Sequence, residues 1–213
     1  RELLDKAYPD VKCSLNYTTP LEMLIATQLS AQCTDARVNM ITPILFAKYP
    51  TINALADAPL EDITEIVKPC GLGNSKARDI KRCMTMLRDK YNGIVPDTME
   101  ELLKLPGVGR KSANLILGDI YGQPAVVADT HCIRISNRLG FMKKSDKNSK
   151  DPVHVEMRLR KVLPMDKRND TCHRFVLHGR EVCTRRSPHC ENCILNHVCD
   201  YRKSLEKAAK QEK

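Results

Sequence analysis

The sequence predicts an all-α protein that is built from short helices. Apolar residues recur at helical spacing in one segment after another, as Leu21, Leu24 and Leu29 do near the N-terminus. Several segments open on a helix-start signal, and residues 19–22 (TPLE) offer an N-cap, a proline in the first turn and a capping-box glutamate. Only residues 125–128 (AVVA) resemble a strand, and four residues are too few for a sheet without partners.

The predicted helices follow one another along the whole chain. In order they cover residues 1–12 (ended by Pro9), 19–29, 38–46 (interrupted near Pro43, or two short helices), 51–60, 60–67, a helix from a cap at Asn74 or Ser75 to Leu87, one from a cap at Asp97 to Leu105, 110–121, a helix after Asp129, 152–163 and 170–180. Residues 143–151 (KKSDKNSKD) are expected to form an exposed loop, and the charged tail from residue 205 onward is expected to fray.

Composition and charge narrow the class of partner. The 213 residues carry a formal net charge of +9, which favours an anionic partner, either nucleic acid or a membrane surface. No apolar run approaches the roughly 20 residues that span a bilayer, and no signal-peptide segment opens the chain. We therefore expect no membrane partner and a cytoplasmic location. Tryptophan is absent and aromatic residues make up 4% of the chain, which argues against a large base-stacking platform.

Cysteine usage indicates a metal site in a reduced protein. Six of the ten cysteines are scattered through helical segments. The other four crowd into residues 183–199 with the spacing Cys183-x6-Cys190-x2-Cys193-x5-Cys199. Four thiolates at this spacing can close around one soft metal centre, and the chemistry alone leaves zinc and an iron–sulfur cluster open. Disulfides are the alternative, and His189 and His197 are additional candidate ligands.

The segment Leu105-Pro106-Gly107-Val108-Gly109-Arg110-Lys111 joins two predicted helices through a turn with two glycines. Glycine allows a positive φ and leaves backbone amides uncovered, so the turn and the first amides of the next helix can hold one phosphate. Such a cradle grips a nucleic-acid backbone without reading its sequence. The alternative is a turn between packed helices, with Lys111 as a solvated surface charge.

A lone carboxylate follows in Val127-Ala128-Asp129-Thr130-His131. An aspartate just before a predicted helix is typical of an N-cap. A carboxylate can also stabilise positive charge that develops during a reaction. The residues alone favour the cap for Asp129, and both roles remain open.

Taken together, these motifs resemble a known family. Residues 105–111 resemble the helix-hairpin-helix signature of the endonuclease III family of DNA glycosylases, and residues 127–131 resemble the segment that carries that family's aspartate. The resemblance continues through residues 29–35 (LSAQCTD), residues 71–77 (GLGNSKA) and the C-terminal cysteines, so it covers nearly the whole chain. It implies a bifunctional DNA glycosylase/AP lyase of base excision repair that excises oxidised pyrimidines from duplex DNA.

The resemblance also implies an architecture. Two helical lobes would flank a DNA-binding cleft, with Lys111 and Asp129 at its mouth. The first lobe would cover residues 19–131, with the helix-hairpin-helix at about 98–121. The second would combine residues 1–18 with 132–213 and hold a [4Fe–4S] cluster in the loop 183–199. The expected partner is double-stranded DNA that contains damaged bases or abasic sites, bound by a monomer.

Individual roles follow from matching the family's motifs. Lys111 would be the nucleophile, whose pKa the helix N-terminus, Arg110 and burial would lower. Asp129 would steady charge at C1′ or move protons. The residues expected to contact DNA are Gln32 (gap filling), Leu72 (wedge), Gly107, Val108, Gly109, Arg110, His131, Arg185 and Arg186. The cluster ligands would be Cys183, Cys190, Cys193 and Cys199.

The chain departs from the family's commonest pattern at Gly73, where a tyrosine is frequent, which puts the shape of the wedge loop in doubt. Asp35, behind Gln32, would line the pocket or pair with a cation. The rival functions are an adenine or thymine mismatch glycosylase of the same superfamily and a non-catalytic helix-hairpin-helix DNA-binding module. Lys111 counts against the adenine glycosylase, which usually lacks a lysine there.

Overall fold

The computed structural model describes residues 2–142, 146 and 148–211. These residues form α-helices, short 3₁₀ turns and loops, with no β-strand among them, so the all-α prediction is confirmed. The helices are α1 (Glu2–Ala7), α2 (Pro20–Leu29), α3 (Asp35–Lys48), α4 (Ile52–Asp57), α5 (Leu60–Val67), α6 (Gly73–Tyr91), α7 (Met99–Leu102), α8 (Arg110–Asp119), α9 (Thr130–Leu139), α10 (Pro152–Val162), α11 (Arg168–Glu181) and α12 (Asp200–Gln211). None of these helices is long and apolar enough to cross a bilayer.

The chain divides into two compact units, Cys13–Gln123 and residues 1–12 with 124–213. The sequence placed the divisions after residues 18 and 131, so residues 13–18 and 124–131 lie in the other unit from the one expected. Residues 13–18 join the first unit because Asn39 of α3 holds them. Its Nδ2 donates to the carbonyl of Ser14 at 2.8 Å, and its Oδ1 accepts from the amide of Asn16 at 2.8 Å.

The core of the Cys13–Gln123 unit surrounds α2, which is buried from Met23 to Leu29. Thr19 caps this helix as predicted, and its Oγ1 accepts from the amide of Glu22 at 3.2 Å. The predicted capping box is not closed, because the Glu22 carboxylate instead accepts from the amide of Thr18 at 2.6 Å. Helix α2 packs against α3, α6 and α8, while the long α6 also packs against α4 and α5.

Among the differences from the predicted helices, three concern α3, α6 and α7. Helix α3 runs unbroken through Pro43. Pro43 lies on the exposed face of the helix, and Val38 and Leu45 on the other face are buried in the core. Helix α6 begins at Gly73, one or two residues before the expected cap, because Leu72 takes a left-handed conformation there. Helix α7 is capped by Thr98, not Asp97: the Thr98 hydroxyl accepts from the amide of Glu101.

The unit of residues 1–12 and 124–213 is built on α9 and α11, which pack against each other. Its core includes the fully buried Phe175 and Cys132. Arg174 of α11 fastens the N-terminal helix, since its Nε donates to the Tyr8 carbonyl at 3.0 Å and its Nη1 pairs with Asp5 at 3.2 Å. The tail expected to fray is helical to Gln211 in α12. Residues 143–145 and 147 of the expected exposed loop lie outside the described residues.

Candidate active site

The glycine turn between α7 and α8 is anchored on its inner side and open on its outer side. Leu105 and Val108 are buried, and the Val108 amide donates to the Leu105 carbonyl at 3.2 Å. Gly107 and Gly109 are exposed. No side-chain hydrogen bond caps the start of α8, and the N-terminus of a helix is a favourable place for an external anion.

Both the backbone conformation and the close packing at residue 107 favour glycine. Its φ is +74°, and an added Cβ would lie 2.9 Å from the Cβ of Asp79 and 3.3 Å from Nε2 of Gln28. The same Gln28 Nε2 donates to the Pro106 carbonyl at 2.7 Å, which ties the turn to α2. The turn is therefore held rigidly against α2 and α6, as a phosphate cradle requires.

Lys111 occupies the second position of α8 and is exposed. The sequence expectation that burial acts on this amine is wrong, because its side chain stands in solvent. Lys111 lies in the first turn of the helix, where the dipole is positive, and Arg110 precedes it. The amine is accessible to a substrate as it stands.

Gln32 and Leu72 lie on two neighbouring loops that share an unusual backbone conformation. Gln32 has φ 54° and Leu72 has φ 52°, both in the left-handed region. Leu72 is 56% exposed, so its side chain is not folded back on the core. Gly73 packs closely, because an added Cβ would lie 3.0 Å from Cα of Lys68. The loop therefore has room for glycine at residue 73, and a larger residue there would force the loop to shift.

A buried lysine joins these two loops. Lys76 donates from Nζ to the Leu29 carbonyl at 2.8 Å and to the Cys70 carbonyl at 2.7 Å. Burial lowers the pKa of Lys76, while the nearby thiols of Cys33 and Cys70 act in the opposite direction. Sequence reasoning missed this residue, since nothing in the local pattern marks Lys76 as buried.

Asp129 is the N-cap of α9, and its Oδ1 accepts from the amide of Cys132 at 2.7 Å. The capping role is therefore real. His131 lies in the first turn of the same helix, and its Nδ1 accepts a hydrogen bond from Nη2 of Arg134 at 3.0 Å. Burial is the largest cause that lowers the pKa of His131, against the opposing effect of Asp129. His131 also packs on Gly179, where an added Cβ would lie 2.6 Å from Nδ1.

The four C-terminal cysteines line one small cavity together with Arg138, Tyr201 and Arg202. All ten cysteines are free thiols, so the disulfide alternative has no support. Burial, reinforced by the neighbouring thiols, raises the pKa of Cys190 and of Cys193. Four thiolates in this cavity therefore need a bound cationic centre to balance their charge.

Arginine and histidine side chains surround the cysteine loop. Arg138 donates from Nη1 to the sulfur of Cys183 at 3.1 Å, and His178 lies 3.5 Å from the sulfur of Cys193 through Nε2. As placed, no three His, Cys, Asp or Glu side chains of the described residues have the spacing to hold a single metal ion. The all-thiol donor set and its cationic surroundings nevertheless fit an iron–sulfur cluster. His189 lines the cavity and His197 is exposed.

Arg138 holds the loop between Cys183 and Cys190 through hydrogen bonds to its backbone. Arg138 donates from Nη1 to the Thr184 carbonyl at 2.7 Å and from Nη2 to the Arg185 carbonyl at 3.1 Å. Arg185 and Arg186 themselves are exposed. Sequence reasoning missed Arg138, although it follows Arg134 at i+4 and so shares one face of α9 with it.

Comparison with known proteins decides the family. The model of the HhH-GPD superfamily of base excision DNA repair proteins matches residues 25–165, and that of the iron–sulfur binding domain of endonuclease III matches residues 183–199. A relative from Synechocystis, "Endonuclease III", is 45% identical and covers 92% of this chain and 88% of its own. The chain belongs to the endonuclease III family. Its Escherichia coli K12 relative is 38% identical, covering 93% of this chain and 92% of its own.

Solved structures agree with this membership. A trapped covalent intermediate of endonuclease III with DNA is 42% identical, with a TM-score of 0.89, covering 96% of this chain and 94% of that one. A thermostable thymine-DNA glycosylase, 23% identical with a TM-score of 0.84, shows the same fold. The predicted family, helix-hairpin-helix glycosylase fold and [4Fe–4S] cofactor are confirmed. As a family member the chain is a DNA glycosylase/AP lyase of base excision repair, as predicted.

Proposed function

We propose that this endonuclease III relative excises oxidised pyrimidines from duplex DNA with Lys111 as its nucleophile. The observation that carries the proposal is the position of Lys111, exposed in the first turn of α8 directly after the glycine turn. A phosphate held at this helix N-terminus would bring the DNA backbone to the amine.

The chemistry follows from an amine at the sugar. The neutral Lys111 amine attacks C1′ of the deoxyribose, the N-glycosidic bond breaks, and the base leaves with its bonding electrons and a proton. The ring opens to a Schiff base, which acidifies the C2′ proton. Loss of that proton expels the 3′ phosphate, so the strand is nicked by β-elimination, and water then releases the lysine.

Asp129 would stabilise the positive charge that develops at C1′ as the base departs. Its cap hydrogen bond uses Oδ1, so Oδ2 is the oxygen we assign to this task. The cap itself fixes the carboxylate, because the Cys132 amide that holds it belongs to the first turn of α9. Asp129 would thus act both as the N-cap of α9 and as the catalytic carboxylate, the two roles that the sequence left open.

Duplex DNA that contains damaged bases or abasic sites is the proposed partner. Solved structures of endonuclease III–DNA complexes are among those that this chain resembles, which supports this choice. Leu72 would act as the wedge and Gln32 would fill the gap left by the everted nucleotide, because both are exposed on loops with fixed backbones. Arg185 and Arg186 would contact phosphate, and His131 would also contact the DNA. The monomeric state and the cytoplasmic location remain predictions.

Cys183, Cys190, Cys193 and Cys199 would hold the cluster, since these are the thiols that line the cavity. When bound, the cluster would link the four cysteines through iron–sulfur bonds and so fix the loop that carries Arg185 and Arg186. Arg138 adds to this by holding the carbonyl of Arg185 from within.

A panel of duplexes tests the substrate class. Matched oligonucleotides would carry thymine glycol, an abasic site, a G·T mismatch, an A·G mismatch or no lesion. We expect strand nicking on thymine glycol and the abasic site only. Base release confined to a mismatch would assign a mismatch glycosylase instead, while binding without any cleavage would leave a DNA-binding module.

A further inference from the structure

The two residues proposed to enter the duplex stand on separate loops of the Cys13–Gln123 unit. We call residues 30–34, which join α2 to α3, the Gln32 loop. Residues 71–72, which join the 3₁₀ turn Lys68–Cys70 to α6, are the Leu72 loop. The contacts that fix the distance between these loops therefore also fix how the wedge is placed relative to the gap-filling residue.

We propose that Lys76 is a positioning residue for the opening of the duplex, and that it acts by fastening the Gln32 loop to the Leu72 loop. The two loops then enter the DNA as one rigid element. This role deepens the proposed function and rests on it. Lys76 is 5% exposed, so it acts through the residues that it holds and not through a contact of its own with DNA.

The ammonium group of Lys76 bridges the backbones that lead into the two loops. Its Nζ donates to the Leu29 carbonyl at 2.8 Å and to the Cys70 carbonyl at 2.7 Å. Leu29 is the last residue of α2, so its carbonyl lacks a partner within that helix and lies at the negative end of the dipole. A buried cation that satisfies two carbonyls leaves both without a donor when it is removed.

The backbone of Lys76 holds the wedge residue as well. Its amide donates to the carbonyl of Leu72 at 3.0 Å, and the amide of Gly71 donates to the Lys68 carbonyl at 3.0 Å on the other side of the loop. Leu72 has a φ of 52°, and a leucine keeps a left-handed conformation only where its surroundings impose it. Lys76 therefore holds the Leu72 loop at its own carbonyl and at the residue before it.

The same end of α2 is joined to the glycine turn. Gln28, directly before Leu29, donates from Nε2 to the Pro106 carbonyl at 2.7 Å. Through Lys76 and α2 the Leu72 loop is therefore connected to the turn that begins the helix of the proposed nucleophile. Without the Lys76 bridge, this connection between the wedge and the turn would be lost.

Helix α6 also supplies a matched control, Lys81. This lysine is partly buried, and its Nζ donates to the backbone carbonyl of Ala58. Ala58 lies between α4 and α5, in a segment for which no DNA contact is proposed. Lys81→Met thus removes the same kind of hydrogen bond from the same helix. It should lower the urea midpoint of unfolding without displacing the wedge.

The experiment compares Lys76→Met with Lys81→Met, as cluster-loaded proteins, on duplexes that differ only in carrying a thymine glycol or an abasic site. A nucleotide with its base must be unstacked to leave the duplex, whereas an abasic site has no base to unstack. We expect single-turnover base release by Lys76→Met to slow by about tenfold or more. Its nicking of the abasic duplex should stay close to that of the wild type. Lys81→Met should match the wild type on both duplexes.

Fluorescence of 2-aminopurine opposite the thymine glycol reports on the wedge without any chemistry. Its fluorescence rises when the base loses its stacking partners, so binding of the wild type should raise it within the first turnover. Saturating Lys76→Met should raise it less. Because the Lys76 bridge holds Leu72, Lys76→Met should add little to the loss of base release that Leu72→Ala causes by itself.

Lys76→Gln keeps the test open if Lys76→Met does not fold. Its amide retains two N–H donors but ends one bond short of the ammonium position, so this variant should fold, displace the loops and slow base release. Base release at the wild-type rate in either folded variant, equal slowing on both duplexes, equal slowing in Lys81→Met, or full additivity with Leu72→Ala would each overturn the proposal. A wild type that releases no thymine glycol would instead count against the proposed function, and the fluorescence would still report on the wedge.

Discussion

Arg138 donates a hydrogen bond from Nη1 to the sulfur of Cys183, at 3.1 Å. Asp129 caps the helix on which Arg138 lies, so α9 carries the candidate catalytic carboxylate at one end and a direct contact to the cysteine loop near the other. Arg134, between them, donates from Nε to the Cys183 carbonyl at 3.0 Å. Helix α9 therefore positions both the Asp129 carboxylate and the cysteine loop.

Replacing Arg138 by methionine should weaken the cysteine loop. The change removes hydrogen bonds to Cys183, Thr184 and Arg185 while keeping an unbranched side chain of similar length. A charge-assisted hydrogen bond contributes about 1.5–3 kcal/mol, so we expect lower iron content and a lower unfolding temperature. Arg202→Met is the matched control, since Arg202 lines the same cavity but pairs with Glu206. Equal iron loss in both variants would contradict the claim that the hydrogen bonds of Arg138 stabilise the cysteine loop.

The two glycines of the turn should respond differently to alanine. Gly107→Ala meets Asp79 and keeps a positive φ, so we expect a loss of about 1–3 kcal/mol in unfolding free energy. Gly109→Ala has φ −96° and nothing within 4 Å, so its stability should stay within about 0.5 kcal/mol of the wild type. Urea denaturation followed by circular dichroism measures both, and indistinguishable midpoints would show that the close packing at Gly107 is unimportant.

Two substitutions at Asp129 separate capping from catalysis. Asparagine caps helices as well as aspartate does, so Asp129→Asn should keep stability within about 0.5 kcal/mol while base release slows by at least about tenfold. Asp129→Ala should lose base release and about 1 kcal/mol of stability as well. DNA affinity is measured for both by filter binding. Unchanged base release in the asparagine variant would leave Asp129 as a cap alone.

His131 should give stability a pH dependence. Burial lowers the pKa of His131 from its usual 6.5, so between the lowered value and 6.5 the unfolded chain binds more protons than the folded one. Stability that is fully present above pH 6.5 is therefore lost as pH falls through this window. We expect His131→Gln to lose less stability than the wild type between about pH 6.5 and pH 5. The same substitution at exposed His197 is the control, and parallel curves for His131→Gln and the wild type would contradict the assignment.

Local signals in the sequence predicted much of the fold. The Thr19 cap, the proline that opens α2 and the cap at Asp129 each depend on a few neighbouring residues, and the structure contains them. The sequence predicted an interruption of α3 near Pro43, or two short helices, because proline lacks the backbone amide that a continuous helix uses. In the folded unit, the buried face of α3 outweighs that local cost.

Features that depend on distant residues were not predictable. Lys76 looks like an ordinary helix lysine until the carbonyls of Leu29 and Cys70 are brought to it. The left-handed turn at Leu72 likewise depends on the packing of Gly73 against Lys68. The exposure of Lys111 was misjudged for the same reason, since burial is set by tertiary neighbours and not by position in a motif.

Borohydride trapping tests the role of Lys111 most directly. Wild-type protein is mixed with a thymine-glycol duplex and sodium borohydride, which reduces a Schiff base to a stable amine, and denaturing gels then report covalent enzyme–DNA product. Lys104→Gln is the control, because Lys104 is also exposed in the preceding segment but pairs with Glu101. We expect trapped product with the wild type and Lys104→Gln and none with Lys111→Gln. Undiminished trapping in Lys111→Gln would place the nucleophile elsewhere in the chain.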